Sequence, residues 1–146
     1  MSHLSWSDDY SIGVEIFDDE HKRIIAYFNE VQNAFMRSAD LATLEKLYDE
    51  AVDYIVAHFA HEEAHFDDCP YPQKQSHLES HAHIRREMEA CRAHLAEWSR
   101  MGAGENLFAV LGAGVIEQIL YEDKLFGQCL CTNGKCPAEG DVSFCA

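Results

Sequence analysis

The sequence is poor in basic residues and has no long apolar run. Its 146 residues include 11 Lys and Arg against 26 Asp and Glu, so the formal net charge is -15. A surface with this charge repels phosphate backbones and anionic lipids, which argues against nucleic-acid and membrane-surface partners. No apolar run approaches the ~20 residues that a membrane-spanning helix needs. The first ten residues lack the basic and then apolar layout of a signal peptide, so we expect a cytoplasmic protein.

The six cysteines fall into two sets. Cys69 and Cys91 are isolated in the sequence, which suits a reducing compartment. The other four crowd the last eighteen residues and lack the Cys-x2-Cys pairing of zinc knuckles. They are Cys129, Cys131, Cys136 and Cys145. Four such thiols could bind zinc, form two disulfides, act as a redox reserve or belong to a disordered tail, and the sequence leaves these alternatives open.

Four segments have the apolar periodicity of helices. Asp and Asn residues favour helix starts, whereas proline and glycine favour helix ends. The predicted helices run from a cap at Asp18 or Asp19 to about Ser38, from a cap at Asp40 to the Cys69–Pro72 stretch, from about His77 to Met101, and from about Glu105 to Phe126.

Helices of this length with short connections predict an all-α, up-down-up-down four-helix bundle. Residues 1–17 lack sustained helical periodicity, so we expect an extended N-terminal arm that packs on the bundle. We predict the bundle over residues 1–127 and a Cys-rich C-terminal tail as an appendage over residues 128–146.

Metal-ligating side chains lie on the predicted inner faces of three helices. His58 and Glu62 are four residues apart, as are His77 and His81, so each pair lies on one helix face. His21 lies in the apolar stripe of the first helix. Burying these groups without compensation would cost several kcal/mol each, roughly, and a bound metal would remove that cost. We therefore predict a metal site in the bundle core rather than a polar network without metal.

The ligand types narrow the choice of metal. Imidazole and carboxylate without an obvious thiolate suit iron, zinc or manganese. The donors are too many for one tetrahedral zinc ion, so we expect two metal ions bridged by carboxylates.

At this point the chain resembles a bacterial hemerythrin-like domain over residues 6 to about 126. The resemblance depends on four motifs taken together. They are Trp6-x3-Tyr10-x2-Gly13-Val14, Asp18-Asp19-Glu20-His21-Lys22, His58-Phe59-Ala60-His61-Glu62-Glu63, and Pro72 followed by His77-x3-His81.

The resemblance implies a non-haem di-iron site, oxo- or hydroxo-bridged, that binds dioxygen reversibly. It assigns His21 and His58 to one iron. It assigns His77, His81 and a fifth histidine from the last helix to the other iron. Glu62 and a fourth-helix aspartate, which matches Asp123, would bridge the two.

The fifth histidine is missing from this chain. The family's last motif is His-x4-Asp, and here Gln118 takes the place of the histidine while Asp123 remains. The third-helix iron would then gain a water, an exchangeable ligand or a substitute side chain. Glu122 shares a face with Gln118 on a straight helix, whereas Asp123 needs a local distortion such as a π-bulge. We favour Asp123, and His65 is a further candidate one turn beyond Glu62.

A second departure is the stretch Gly112-Ala113-Gly114, where the family usually has a bulky residue. It indicates either space beside the metals or close helix packing.

Dioxygen binding for storage, transport or sensing is the first functional hypothesis. The alternative is a di-iron oxidase or peroxidase, or an enzyme that handles nitric oxide, at the coordination position opened by Gln118. A third hypothesis is metal handling assisted by the tail cysteines.

Overall fold

The structure is a computed structural model that describes residues 4–102 and 104–132, and the side chains of residues 104–108 and 110 are not described. It confirms the all-α four-helix bundle. The elements are a 3-10 turn (Asp8–Tyr10), α1 (Glu15–Met36), α2 (Leu41–Glu63), α3 (Lys74–Met101), and a fourth helix formed by α4 (Gly104–Gln118), a π-helical segment (Ile119–Asp123) and α5 (Lys124–Thr132). Helix α1 packs on α2 and α4, and α3 packs on the same two helices.

The helix starts were predicted with mixed success. Asp40 caps α2 as predicted, because its carboxylate accepts a hydrogen bond from the Thr43 amide at 2.8 Å. The predicted cap of α1 at Asp18 or Asp19 is wrong, since the helix begins at Glu15. Asp18 instead accepts hydrogen bonds from the Ser11 hydroxyl at 2.5 Å and the Ile12 amide at 2.8 Å. Its carboxylate therefore fixes the N-terminal arm onto the bundle.

Two helix ends also differ from the prediction. Helix α2 ends at Glu63, before the proline-containing stretch, and turns connect it to α3. The fourth helix continues past the predicted boundary at residue 127 and reaches Thr132. The division into a bundle and a tail appendage stays a prediction, because residues 133–146 lie outside the described residues.

The glycines of the fourth helix have different surroundings. A Cβ atom on Gly112 would lie 3.3 Å from a Leu4 methyl carbon and 3.5 Å from the Phe28 ring, so this position serves close packing. A Cβ atom on Gly114 would meet no atom within 4 Å, so this position leaves open space. Gly127 is the most constrained, because its Cβ would lie 2.1 Å from the Ile12 carbonyl oxygen. The N-terminal arm can approach the fourth helix only where that side chain is missing.

A disulfide joins Cys69, in the turns after α2, to Cys129 in α5. Cys69 is isolated in the sequence but is paired in the structure. This pairing weakens the case for a reducing compartment. The bond also removes Cys129 from any zinc site made of the four tail thiols. Cys131 is a free thiol, while Cys136 and Cys145 lie outside the described residues.

Two apolar clusters fill the bundle. The larger contains residues of all four helices, among them Phe28, Ile55 and Leu95. The smaller joins the arm, the turns after α2 and α5, and it includes Phe17, Phe66 and Phe126. Across residues 4–102 and 104–132, none of the helices combines the length and hydropathy that a bilayer span requires.

Candidate metal centre

The six predicted ligands converge in the bundle core. All are at most 3% exposed, although each is a polar or charged residue. Their ligand atoms form two groups of four, and within each group these atoms lie within 4.8 Å of one another. The first group is His21, His58, Glu62 and Asp123, and the second is Glu62, His77, His81 and Asp123.

Glu62 faces both histidines of each group and lies closest to one of them in each. Its Oε2 lies 3.4 Å from Nε2 of His58, and its Oε1 lies 3.2 Å from Nε2 of His81. One carboxylate oxygen is therefore directed to each half of the site. This is the arrangement by which a carboxylate can bridge two cations.

Asp123 repeats the arrangement from the opposite helix. Its Oδ2 lies 3.0 Å from Nε2 of His21, and its Oδ1 lies 2.8 Å from Nε2 of His77. The π-helical segment that ends at Asp123 supplies the extra residue needed to bring this side chain inward.

The other proposed substitutes lie elsewhere. Glu122 is not in either group, and its backbone carbonyl accepts a hydrogen bond from the Tyr71 hydroxyl at 3.2 Å. Nδ1 of His65 pairs with the Asp68 carboxylate at 2.5 Å, away from both groups. Of the three candidates, only Asp123 is brought into the site.

Side chains outside the two groups contact Nδ1 of three of the imidazoles, the nitrogen that faces away from the centre of the site. Nδ1 of His58 lies 2.6 Å from Glu20, and Nδ1 of His81 lies 2.7 Å from Glu63. With Nδ1–H donated to a carboxylate, Nε2 keeps its lone pair for a metal. Sequence reasoning missed both roles, although both glutamates lie inside the quoted motifs.

Tyr71 supports the third imidazole. Its hydroxyl oxygen lies 2.8 Å from Nδ1 of His77, so it can accept that N–H while its own O–H donates to the Glu122 carbonyl. No sequence signal marked Tyr71 for this position, because it follows α2 in the turns before α3.

Several buried polar atoms of the site make no well-aligned hydrogen bond with the described residues, although some lie opposite an ion-pair partner, as Nε2 of His77 does at 2.8 Å from Oδ1 of Asp123. They are both carboxylate oxygens of Glu62, Nε2 of His77 and of His81, Oδ1 of Asp123 and Nδ1 of His21. Buried polar atoms are almost always paired, since leaving one unpaired costs ~1–3 kcal/mol. All of them except Nδ1 of His21 are atoms that could bind a metal within the two groups. The residues present therefore fit a pair of cations.

Charge pairing shifts the pKa values of the ligands. Burial by itself lowers the pKa of His58, but the Glu62 charge and the hydrogen bond with Glu20 raise it to about 10. Burial by itself raises the pKa of Glu62, but His58 and His21 hold it well below its usual range. Without metal, an imidazolium thus balances the buried carboxylate, and a cation would replace that proton.

Aromatic rings enclose the site. The Phe59 ring stacks on His81 with centroids 4.0 Å apart, and the Phe66 ring lies 4.7 Å from His77. Phe126 and Phe17 are both fully buried, and their ring centroids lie 5.8 Å apart. These rings exclude water, which strengthens the electrostatic interactions of the ligands.

Gln118 occupies the position before the π-helical segment. Its side chain is 5% exposed, and its amide Nε2 has no hydrogen-bond partner in the described part of the chain. A buried neutral amide therefore stands where the resembled family has a fifth histidine.

The remaining histidines lie outside the two groups. His61 pairs with Glu20 at 2.6 Å, so it belongs to the periphery of the site. His83 and His94 have mostly exposed side chains. His3 lies outside the described residues.

Comparison with known proteins agrees with this geometry. The family model described as "Hemerythrin HHE cation binding domain" matches residues 12–130. The chain is 32% identical over 107 residues to the bacteriohemerythrin of Pseudomonas aeruginosa and 37% identical over 81 residues to that of Stenotrophomonas maltophilia. These matches cover 73% and 56% of this chain and 65% and 52% of the two relatives, so the chain spans about two thirds or less of their length.

A solved structure supports the fold. The crystal structure of a hemerythrin with a leucine-to-tyrosine substitution superposes with a TM-score of 0.73 at 23% identity, covering 89% of this chain and 98% of that one. That likeness concerns the fold alone. The family model matches residues 12–130, a range that contains all six residues of the two groups of histidines and carboxylates. The chain belongs to the hemerythrin family of cation-binding domains.

Proposed function

We propose that this protein is a non-haem di-iron protein that binds dioxygen for storage, transport or sensing. The observation that supports it is the pair of ligand groups that share Glu62 and Asp123. Each shared carboxylate directs one oxygen to each group. Imidazole and carboxylate donors without thiolate suit iron.

The ligands divide between two ions. His21 and His58 would hold the first, His77 and His81 the second, and the shared carboxylates would contact both. Two iron ions, joined by an oxo or hydroxo bridge, would supply electrons to dioxygen and take them back on its release.

The protein's own side chains prepare this site. Glu20 and Glu63 keep the Nδ1 protons of His58 and His81, and Tyr71 does so for His77. The orientation of each imidazole is thereby fixed before a metal arrives. The surrounding phenylalanine rings keep bulk water away.

An oxidase, peroxidase or nitric-oxide-handling activity is the second candidate, and Gln118 is the observation that favours it. With a neutral amide in place of a histidine, the second ion would have an open coordination position, and catalytic metals typically keep one.

Anaerobic loading with ferrous iron tests the proposal. We expect two irons per chain, and a visible spectrum that appears on adding dioxygen and disappears when it is removed. A spectrum that decays with consumption of dioxygen or peroxide would favour the enzyme. Fewer than two irons per chain would reject both candidates.

Two matched variants on α3 sharpen the test. His77→Ala removes a predicted ligand and should lower the metal content. His83→Ala removes an exposed imidazole from the same helix and should not change it. Equal metal content in the two variants would contradict the ligand assignment.

A further inference from the structure

An arginine of α3 reaches the outer side of the second ligand group. Nη2 of Arg85 donates to Oε2 of Glu63 at 3.1 Å, and Nδ1–H of His81 donates to the same oxygen at 2.7 Å. A guanidinium keeps its positive charge at every working pH. A permanent charge is thus separated from a predicted metal ligand by a single carboxylate.

A second contact holds the Arg85 side chain in place. Its Cζ atom lies 5.4 Å from the centroid of the Phe59 ring, which is within the range of a cation–π interaction. The same ring stacks on His81, with centroids 4.0 Å apart and planes inclined by 12°. The Arg85 side chain is 33% exposed. Its position is therefore set by two groups that also contact His81.

The first ligand group has no such charge beside it. Its outer carboxylate is Glu20, which lies 2.6 Å from Nδ1 of His58 and 2.6 Å from Nδ1 of His61. Across residues 4–102 and 104–132, no lysine or arginine forms an ion pair with Glu20. An imidazole is charged only when it is protonated. The two outer carboxylates therefore differ in the cation that neighbours them.

The direct ligands do not distinguish the two halves of the site. With Gln118 in place of a histidine, each group supplies two imidazoles and shares the same two carboxylates. The other two imidazoles have no charged partner at Nδ1. His77 meets the Tyr71 hydroxyl at 2.8 Å, and Nδ1 of His21 has no hydrogen-bond partner in the described part of the chain. The clearest difference between the halves is thus the fixed charge beside one outer carboxylate.

We propose that Arg85 is a positioning residue that makes the metal ion held by His77 and His81 the more easily reduced of the two. It holds Glu63 against His81, and its charge weakens the effect by which a carboxylate makes an imidazole a stronger donor. A fixed cation also disfavours the more highly charged, oxidised ion by Coulomb repulsion. This role depends on the proposed di-iron site but not on dioxygen binding.

An anaerobic redox titration of the iron-loaded protein tests this role. The parent protein should be reduced in two one-electron steps. Arg85→Gln should lower the potential of the first step, so that its equilibrium constant falls several-fold, and should change the second step less. Arg85→Lys keeps a cation at this position and should restore most of the potential. A first step that is unchanged in Arg85→Gln would overturn the proposal.

Arg86→Gln is the matched control. Arg86 is the next residue of α3, and it is exposed. Its replacement changes the net charge by the same amount, so it should leave both steps nearly unchanged. Glutamine is a good helix former, and we expect both glutamine variants to fold. Equal shifts in Arg85→Gln and Arg86→Gln would mean that only the net charge acts, and would overturn the proposal.

A double variant tests the route through Glu63. In a Glu63→Gln protein, the further change Arg85→Gln should have little effect on the first step. A shift as large as that in the parent would overturn the assigned route. Two irons per chain and reversible dioxygen binding, without any effect of Arg85, would overturn this role and leave the proposed function standing. Fewer than two irons in the parent would overturn both.

Discussion

At the scale of single residues, the metal-free site is stabilised by charge pairing between protonated imidazoles and ionised carboxylates. The imidazolium of His58, with its pKa raised to about 10, lies against the ionised Glu62. Burial by itself lowers the pKa of His21 and of His77, but Asp123 raises it in both. Cations and protons therefore compete for the same Nε2 atoms.

This competition predicts a pH dependence of metal binding. A metal ion can bind Nε2 of His58 only after its proton leaves, so loading near neutral pH should release at least one proton per chain. Because the raised pKa lies above the working pH, metal affinity should fall by about tenfold per proton for each unit that the pH decreases. Calorimetry in buffers of different ionisation enthalpy measures the number released. Metal uptake without proton release would contradict the charged state assigned to His58.

Gln118 gives the second prediction at this scale. Gln118→His restores an imidazole at the buried position before the π-helical segment. We expect the metal-loaded variant to hold its second metal about tenfold more tightly or better, and to lengthen the lifetime of its oxygen-bound form. Stopped-flow spectra and competition with a chelator measure the two effects. Gln118→Leu is the control, and an equal lifetime in the two variants would show that residue 118 does not act on the metals.

At the scale of secondary structure, the π-helical segment decides which carboxylate enters the site. On a regular helix Glu122 would share the face of Gln118, yet the structure brings Asp123 inward. Asp123→Asn should therefore reduce the bound metal strongly at both positions, since its two oxygens face both groups. Glu122→Gln should leave the metal content unchanged. Elemental analysis after gel filtration compares the two, and equal loss would mean that the fourth helix is regular in solution.

Local helix geometry explains which parts of the site could be predicted from the sequence. The pairs His58–Glu62 and His77–His81 depend only on a four-residue spacing, and residues four apart lie next to each other on one face of a helix. The π-helical segment was predicted only as the condition for placing Asp123, because no residue type specifies it.

Contacts between distant segments explain what was missed. Asp18 was a plausible helix cap, but its carboxylate binds the N-terminal arm instead. Tyr71 supports His77 from a turn whose path is set by packing. Neither outcome follows from a local pattern, since each depends on a partner supplied by tertiary structure.

At the scale of the whole molecule, the N-terminal arm, the turns after α2 and the end of the fourth helix meet in one apolar cluster beside the candidate metal centre. The cluster contains Phe66 and Tyr71, whose rings contact His77, and also Cys69 of the disulfide. The disulfide closes the chain over a separation of 60 residues. It thereby connects the segment that orients one ligand to the helix that carries Asp123.

This connection predicts a global contribution to stability. A cross-link over a loop of this length restricts the unfolded chain, so Cys129→Ser should lower the free energy of unfolding of the metal-free protein by about 2–4 kcal/mol. Denaturant titration with and without a reducing agent measures it. The parent protein should lose the same amount of unfolding free energy when its disulfide is reduced, while the Cys129→Ser variant should not respond to the reducing agent. Cys131→Ser removes a nearby free thiol and serves as the control. If both serine variants unfold at the same denaturant concentration as the parent, the Cys69–Cys129 bond does not stabilise the fold.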